Sequence, residues 1–150
     1  MKIPVIDVFA GPGGLGEGFS NHDSSSFRIV LSIEKDIYAW RTLWLRSLFR
    51  QFSRGVVPFE YYEYIKGKLS IDELRNEYPA EAEKADLCAW NAELGVIPDN
   101  EVDCRIRNAL EPYSDSPWVL IGGPPCQAYS IAGRSRMAKY WNENPDRKNE

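Results

Sequence analysis

The stretch Gly122-Gly123-Pro124-Pro125-Cys126-Gln127 sets one thiol after two glycines and two prolines, at the end of the apolar run 118–121. Proline fixes φ, so a cysteine mounted this way is held in one place. A thiolate there can act as a nucleophile and divide a hard group transfer into easier steps. The same residues also make an ordinary strand-to-loop turn, because Gly and Pro punctuate such turns. Near the other end, Gly11-Pro12-Gly13-Gly14 follows the apolar run 5–9. Missing side chains at a strand-to-helix turn let a ligand approach the backbone, and the helix N-terminus favours a negative group. That chemistry is nucleotide-like. Glu34, closing the second apolar run, stands where it can accept hydrogen bonds from ribose hydroxyls. Dinucleotide enzymes share this pattern.

The elements that must carry these residues alternate. Residues 5–9 read as a strand, 11–19 as a glycine-rich turn entering a helix, and 27–34 as a second strand. From Ile37, the stripe Ile37, Trp40, Trp44, Leu48 and Phe52 recurs every three to four residues and predicts one apolar helix face, with the tryptophans in the core. Residues 118–121 form a later strand. Strands alternating with helices imply an α/β fold, a parallel sheet flanked by helices. Between the second strand and the last lies a helical insertion at about 55–100. Ser70 and Glu73 stand in a capping-box arrangement, and Pro79 opens a helix that Gly95 closes. The aromatic group Phe59, Tyr61, Tyr62 and Tyr64 is expected to pack the insertion onto the sheet, the alternative being a recognition surface. Cys88, inside the same helix, reads as a small buried hydrophobe.

A chain of 150 residues can bury one sizeable core without staples. Cys88, Cys104 and Cys126 are widely spaced, and His22 is the one histidine, so the chain supports neither a disulfide framework nor a metal site. Such cysteine usage fits a reduced, cytoplasmic protein. No apolar stretch reaches membrane-span length, and residues 1–14 lack a signal-peptide core. The net charge of −4 argues weakly against nucleic acid, but the charge is polarised. Residues 60–103 hold twelve acidic and four basic residues, whereas Arg134, Arg136, Lys139, Arg147 and Lys148 form a cationic strip near the other end. That strip is compatible with a polyanionic partner, and equally with a solvated loop.

With both ends in view, DVFAGPGGLGEGF, SIEKD and GGPPCQAYSIAGRSR closely resemble the cytosine-5 DNA methyltransferases. The first motif of that family is Asp-x-Phe-x-Gly-x-Gly-Gly and its fourth is Pro-Cys-Gln. The resemblance implies a Rossmann-like S-adenosylmethionine-dependent methyltransferase fold, of which residues 1–150 are the N-terminal portion. It implies that Phe9, Gly11, Pro12, Gly13 and Gly14 line the S-adenosyl-L-methionine site and that Glu34 holds the ribose with Lys35 beside it. Asp103 and Cys104, in VDCRI, would meet the adenine, and Pro125 would touch the cofactor. Cys126 would be the catalytic nucleophile, adding to a cytosine flipped out of double-stranded DNA. Gln127, Ser130, Arg134 and Arg136 would meet that DNA from the family's mobile loop at 127–143. A cognate restriction endonuclease would be the partner. The family's Glu-Asn-Val and Gln-x-Arg-x-Arg motifs and its target-recognition region are missing, so the chain reads as a piece that is inactive alone. Two alternatives stay open, the RNA-methylating relative and a non-catalytic Rossmann module for another nucleotide.

Overall fold

The computed structural model describes residues 2–22, 26–53 and 55–124, together with Lys139 and Asn142. Four parallel strands form one sheet in the order β3-β2-β1-β4. They are β1 (Ile3–Val8), β2 (Phe27–Glu34), β3 (Ala89–Asn91) and β4 (Val119–Gly122). The helices are α1 (Gly14–Asn21), α2 (Ile37–Phe49), α3 (Phe59–Ile65), α4 (Ile71–Glu77), α5 (Pro79–Cys88) and α6 (Asp99–Leu110). This is the expected α/β architecture of a Rossmann-like methyltransferase fold. Pro4 lies within β1, but β4 pairs only from Val5 onward, so the residue without an N–H precedes the doubly paired part. A bulge between Val5 and Ile6 leaves Val30 of β2 without a register partner.

Each face of the sheet has its own cover. On one side, Ile6, Val30, Leu31, Ile33 and Ala92 pack against Ile106, Ala109 and Leu110 of α6. On the other, Leu43, Trp44 and Leu48 of α2 form a core with Tyr61, Leu74, Ala82 and Ala85 from α3, α4 and α5. Burying one such large side chain contributes about 1.5–3 kcal/mol, so the helices of residues 59–88 are held mainly by α2. Trp44 Nε1 donates to Asp86 Oδ1 at 2.8 Å, Arg75 pairs with the same carboxylate, and the Arg75 guanidinium lies 4.8 Å over the Trp44 ring. The Tyr78 hydroxyl donates to Glu60 at 2.7 Å, and that bond pushes its pKa up to about 12.

The tryptophans of the stripe are core residues: Trp44 is fully buried, and Trp40 donates to the Ala89 carbonyl at 3.0 Å. Ile37 is exposed and Phe52 lies beyond the end of α2, because the buried face turns through Leu43 and Ser47 instead. The Ser70–Glu73 capping box is formed, and Pro79 opens α5. That helix stops at Cys88, not at Gly95. Ala89–Asn91 then leave the helical register and add a strand to the edge of β2. Of the aromatic group, Tyr61 is buried and Tyr64 packs against the α2 core, while Phe59 and Tyr62 stay exposed. Tyr61 and Tyr64 pack α3 onto neighbouring helices rather than onto the sheet. No helix among the described residues is long and apolar enough to cross a membrane.

Candidate functional site

At the carboxyl ends of the strands, β1 hands over to α1 through Phe9-Ala10-Gly11-Pro12-Gly13. Phe9 has φ 55°, in the left-handed region that non-glycine residues enter at a cost of about 1–3 kcal/mol. The Ala10 N–H donates to the Ile33 carbonyl at 3.0 Å, and Gly13 N–H to the Ala10 carbonyl at 3.0 Å, so both sides of the turn are pinned. Gly13 caps α1 at φ 85°, and a Cβ there would lie 2.8 Å from Leu43 Cδ1. A larger residue there must strain the backbone and displace Leu43.

Glu34 closes β2 and reaches across to this turn. Its Oε2 accepts from the Gly11 backbone N–H at 2.7 Å, and its Oε1 accepts from Asp36 N–H at 2.8 Å. Asp36 in turn caps α2, accepting from Tyr38 and Ala39 N–H. A carboxylate offers about four lone-pair positions. Two are used, so each oxygen keeps capacity for a further donor. Beside Glu34, Lys35 Nζ donates to Glu93 Oε1 at 2.8 Å, a bond that raises the ammonium pKa.

β3 ends at the same edge. Asn91 Nδ2 donates to the carbonyls of Glu34 and Lys35 at 2.9 and 3.0 Å, and Ala92 N–H donates to Glu34 O at 3.0 Å. β4 arrives on the other side of β1. A Cβ on Gly122 would lie 2.5 Å from the Val8 carbonyl oxygen, so glycine is what lets the two strands run this close. A Cβ on Gly123 would be 3.8 Å from Phe9 O, so Gly123 lies beside the turn that follows β1.

The structure therefore brings Phe9, Gly11, Pro12, Gly13, Glu34 and Lys35 together at one edge, with Gly14 opening α1 there. It does not bring Asp103 and Cys104 into their hydrogen-bond network. Both are exposed on α6, where Asp103 lies 3.7 Å from Arg107 and Cys104 Sγ accepts from Asn108 Nδ2 at 3.7 Å. A strand missed in the sequence, β3, ends at Asn91 and places Asn91 and Glu93 beside Glu34 and Lys35. Pro125, Cys126, Gln127, Ser130, Arg134 and Arg136 lie outside the described residues.

Beneath the turn, Asp7 of β1 is fully buried with Ser32 of β2 opposite it in register, and neither side chain has a hydrogen-bond partner among the described residues. Burial pushes the Asp7 carboxyl up to about 6, against smaller opposing effects of the Gly16 backbone and the Arg50 charge. Nothing in the sequence marks this carboxyl as buried beyond its place inside an apolar run.

A strand-end edge with a glycine turn, an acidic residue on the adjacent strand and a neighbouring third strand suits an adenosine-type ligand at a topological switch point. The fit is open where it must be: a Cβ placed on Gly11 or on Gly14 meets nothing within 4 Å. Among the described residues, no three His, Cys, Asp or Glu side chains converge as metal ligands.

The chain is 38% identical, over 151 aligned positions, to the Type II methyltransferase M.Bpa9945I of Bacillus paralicheniformis. The match takes in 89% of this chain and 33% of that protein, so the chain spans about a third of the length of the curated relative it matches. No protein-family model matches it. No solved structure matches it either.

Proposed function

We propose that this chain is the cofactor-binding and nucleophile-bearing part of a DNA cytosine-5 methyltransferase of the restriction–modification kind, with a cognate endonuclease as partner. One observation carries the reading. In a chain 38% identical to a type II methyltransferase, Glu34 spans from β2 to the Gly11 N–H and keeps free acceptor capacity at the carboxyl edge of the sheet. S-adenosylmethionine, when bound, supplies an electrophilic methyl group. Gly11 and Gly14 leave room for it against the backbone, the Glu34 oxygens accept from its ribose hydroxyls, and Phe9, 38% exposed, offers an aromatic face. Asn91 and Glu93 take the part first assigned to Asp103.

Carbon 5 of cytosine does not attack a methyl sulfonium readily. Cys126 answers this by adding its thiolate to carbon 6, forming an S–C6 bond and making carbon 5 enamine-like. As carbon 5 takes the methyl group, the S–CH3 bond breaks and S-adenosylhomocysteine is the leaving group. Loss of the carbon-5 proton to a base then expels the thiolate and restores the ring. The base must leave the duplex to be reached, an extrusion assigned to contacts from Gln127, Ser130, Arg134 and Arg136.

The test is covalent trapping by the intact enzyme on duplex DNA carrying 5-fluorocytosine, in which carbon 5 holds fluorine instead of a removable proton. Wild type should form a stable adduct that Cys126→Ser loses. Equal trapping by Cys126→Ser, or trapping on transfer RNA in place of DNA, contradicts the reading.

A further inference from the structure

Away from the cofactor edge, at the amino-terminal ends of β1 and β2, two adjoining cavities of about 700 and 290 Å³ open between the helices. Arg28, Gln51, Lys84 and Cys88 line both. Arg50 adds a cation to the larger and Arg105 to the smaller, whereas Glu17 is the one carboxylate in either lining. Glu17 is already engaged by Arg50 at 3.2 Å and Arg46 at 3.6 Å.

Among the described residues, two cations here lack the carboxylate partner that several cations elsewhere have. Lys35, Lys66, Lys68 and Arg75 each pair with a carboxylate. Among the described residues, Arg28 and Lys84 have no carboxylate within 4 Å, and Arg105 donates only to the Asp86 and Leu87 carbonyls. Their convergence is felt at the Cys88 thiol, one turn beyond Lys84 on α5. Burial raises its pKa, and Arg50, Arg28 and Arg105 each act to lower it. Apolar walls from Ile29, Phe49 and Phe52 sharpen the positive potential of such a recess. Guanidinium groups match phosphate oxygens in both charge and geometry.

We propose that this basic trough is a phosphate-binding site, separate from the cofactor edge, for a free phosphate compound or for a nucleic-acid backbone. The larger cavity falls in the usual range for small-ligand pockets, about 300–1,000 Å³. The site stands on the trough alone and does not depend on the proposed methyl transfer.

The probe is inorganic pyrophosphate, titrated calorimetrically into the 150-residue chain at low salt. Arg28→Gln/Lys84→Gln should weaken binding at least tenfold, whereas the charge-matched Arg41→Gln/Arg107→Gln should not change it. All four positions are exposed, and far-UV circular dichroism checks that both variants fold. Saturating pyrophosphate should also slow alkylation of Cys88 several-fold while leaving that of Cys104 unchanged. Displacement of the probe by a short DNA duplex identifies a nucleic-acid backbone as the source, and persistence of the probe identifies a free phosphate compound. Absence of saturable binding, equal affinity in the two double variants, or unprotected Cys88 overturns the site.

Discussion

The Glu34 carboxylate is bonded to the backbone of Gly11, 23 residues away in the chain, at 2.7 Å. It ties the end of β2 to the turn that follows β1. A single side chain thus shapes the glycine turn and presents acceptors to whatever the turn holds. A hydrogen bond to a charged group contributes about 1.5–3 kcal/mol. Glu34→Ala should therefore weaken S-adenosylhomocysteine binding about tenfold or more and also lower the melting temperature, whereas Glu34→Gln should recover part of the latter. Unchanged affinity in Glu34→Ala would remove the residue from the site.

Asp7 makes stability depend on pH in an unusual direction. Its carboxyl sits at about 6 in the fold against about 3.9 in an unfolded chain. The folded state therefore holds a proton that the unfolded state has released. The resulting stabilisation is complete below the unfolded value and is lost as pH rises through 6, at most roughly 3 kcal/mol. Asp7→Asn is neutral at every pH, so it should melt a few degrees above wild type at pH 7.5, with the gap closing by pH 4. Comparing the two proteins at each pH cancels the opposite trend of Glu60, Glu63 and Glu73, whose carboxyls are held low by Tyr78, by Lys66 and Lys68, and by the Ser70 backbone. A constant gap across that range would mean that Asp7 is not buried as a titrating group.

Gly13 joins a positive φ to a contact with α2. Gly13→Ala must strain the backbone at φ 85° and push Leu43 away, at a cost of about 1–3 kcal/mol. Thermal melting should fall by several degrees. Gly14→Ala, where an added Cβ meets nothing within 4 Å, serves as the contrast and should melt close to wild type while impairing ligand entry. Equal melting losses in the two would argue against the packing role of Gly13.

The reassignment from Asp103 to the end of β3 is open to direct test. Asp103→Ala should leave S-adenosylhomocysteine affinity unchanged, because its partner is Arg107 on the same helix. Asn91→Ala should weaken it several-fold, since Asn91 holds the Glu34 and Lys35 carbonyls. The reverse pattern would restore the original assignment.

What the sequence disclosed followed from the length of each signal. β2 was legible to the residue because Phe27, Ile29, Val30, Leu31 and Ile33 make an apolar, β-rich run that ends in a charge. The Ser70–Glu73 box was legible because two side chains at fixed spacing satisfy two backbone donors. β3 was not: three residues give no alternation, and they follow α5 with no Gly or Pro between. The proposed transfer of the Asp103 role to the end of β3 rests on that one short strand. Of the stripe's two ends, Ile37 is exposed, whereas Phe52 lies past the end of α2 and still packs against its core, since periodicity does not mark where a helix stops. The burial of Asp7 and the gathering of Arg28, Lys84 and Arg105 depend on how distant segments pack, which local pattern does not encode.

The most direct measurement is a calorimetric titration of the chain with S-adenosylhomocysteine and, separately, with NAD. Both ligands carry adenosine, and both suit a glycine turn with an acid on the next strand, so the comparison isolates methyltransferase character from generic nucleotide binding. The account predicts saturable binding of S-adenosylhomocysteine that Glu34→Ala weakens about tenfold or more, with no saturable binding of NAD. Binding of NAD with equal or greater affinity, or S-adenosylhomocysteine binding indifferent to Glu34, would contradict it.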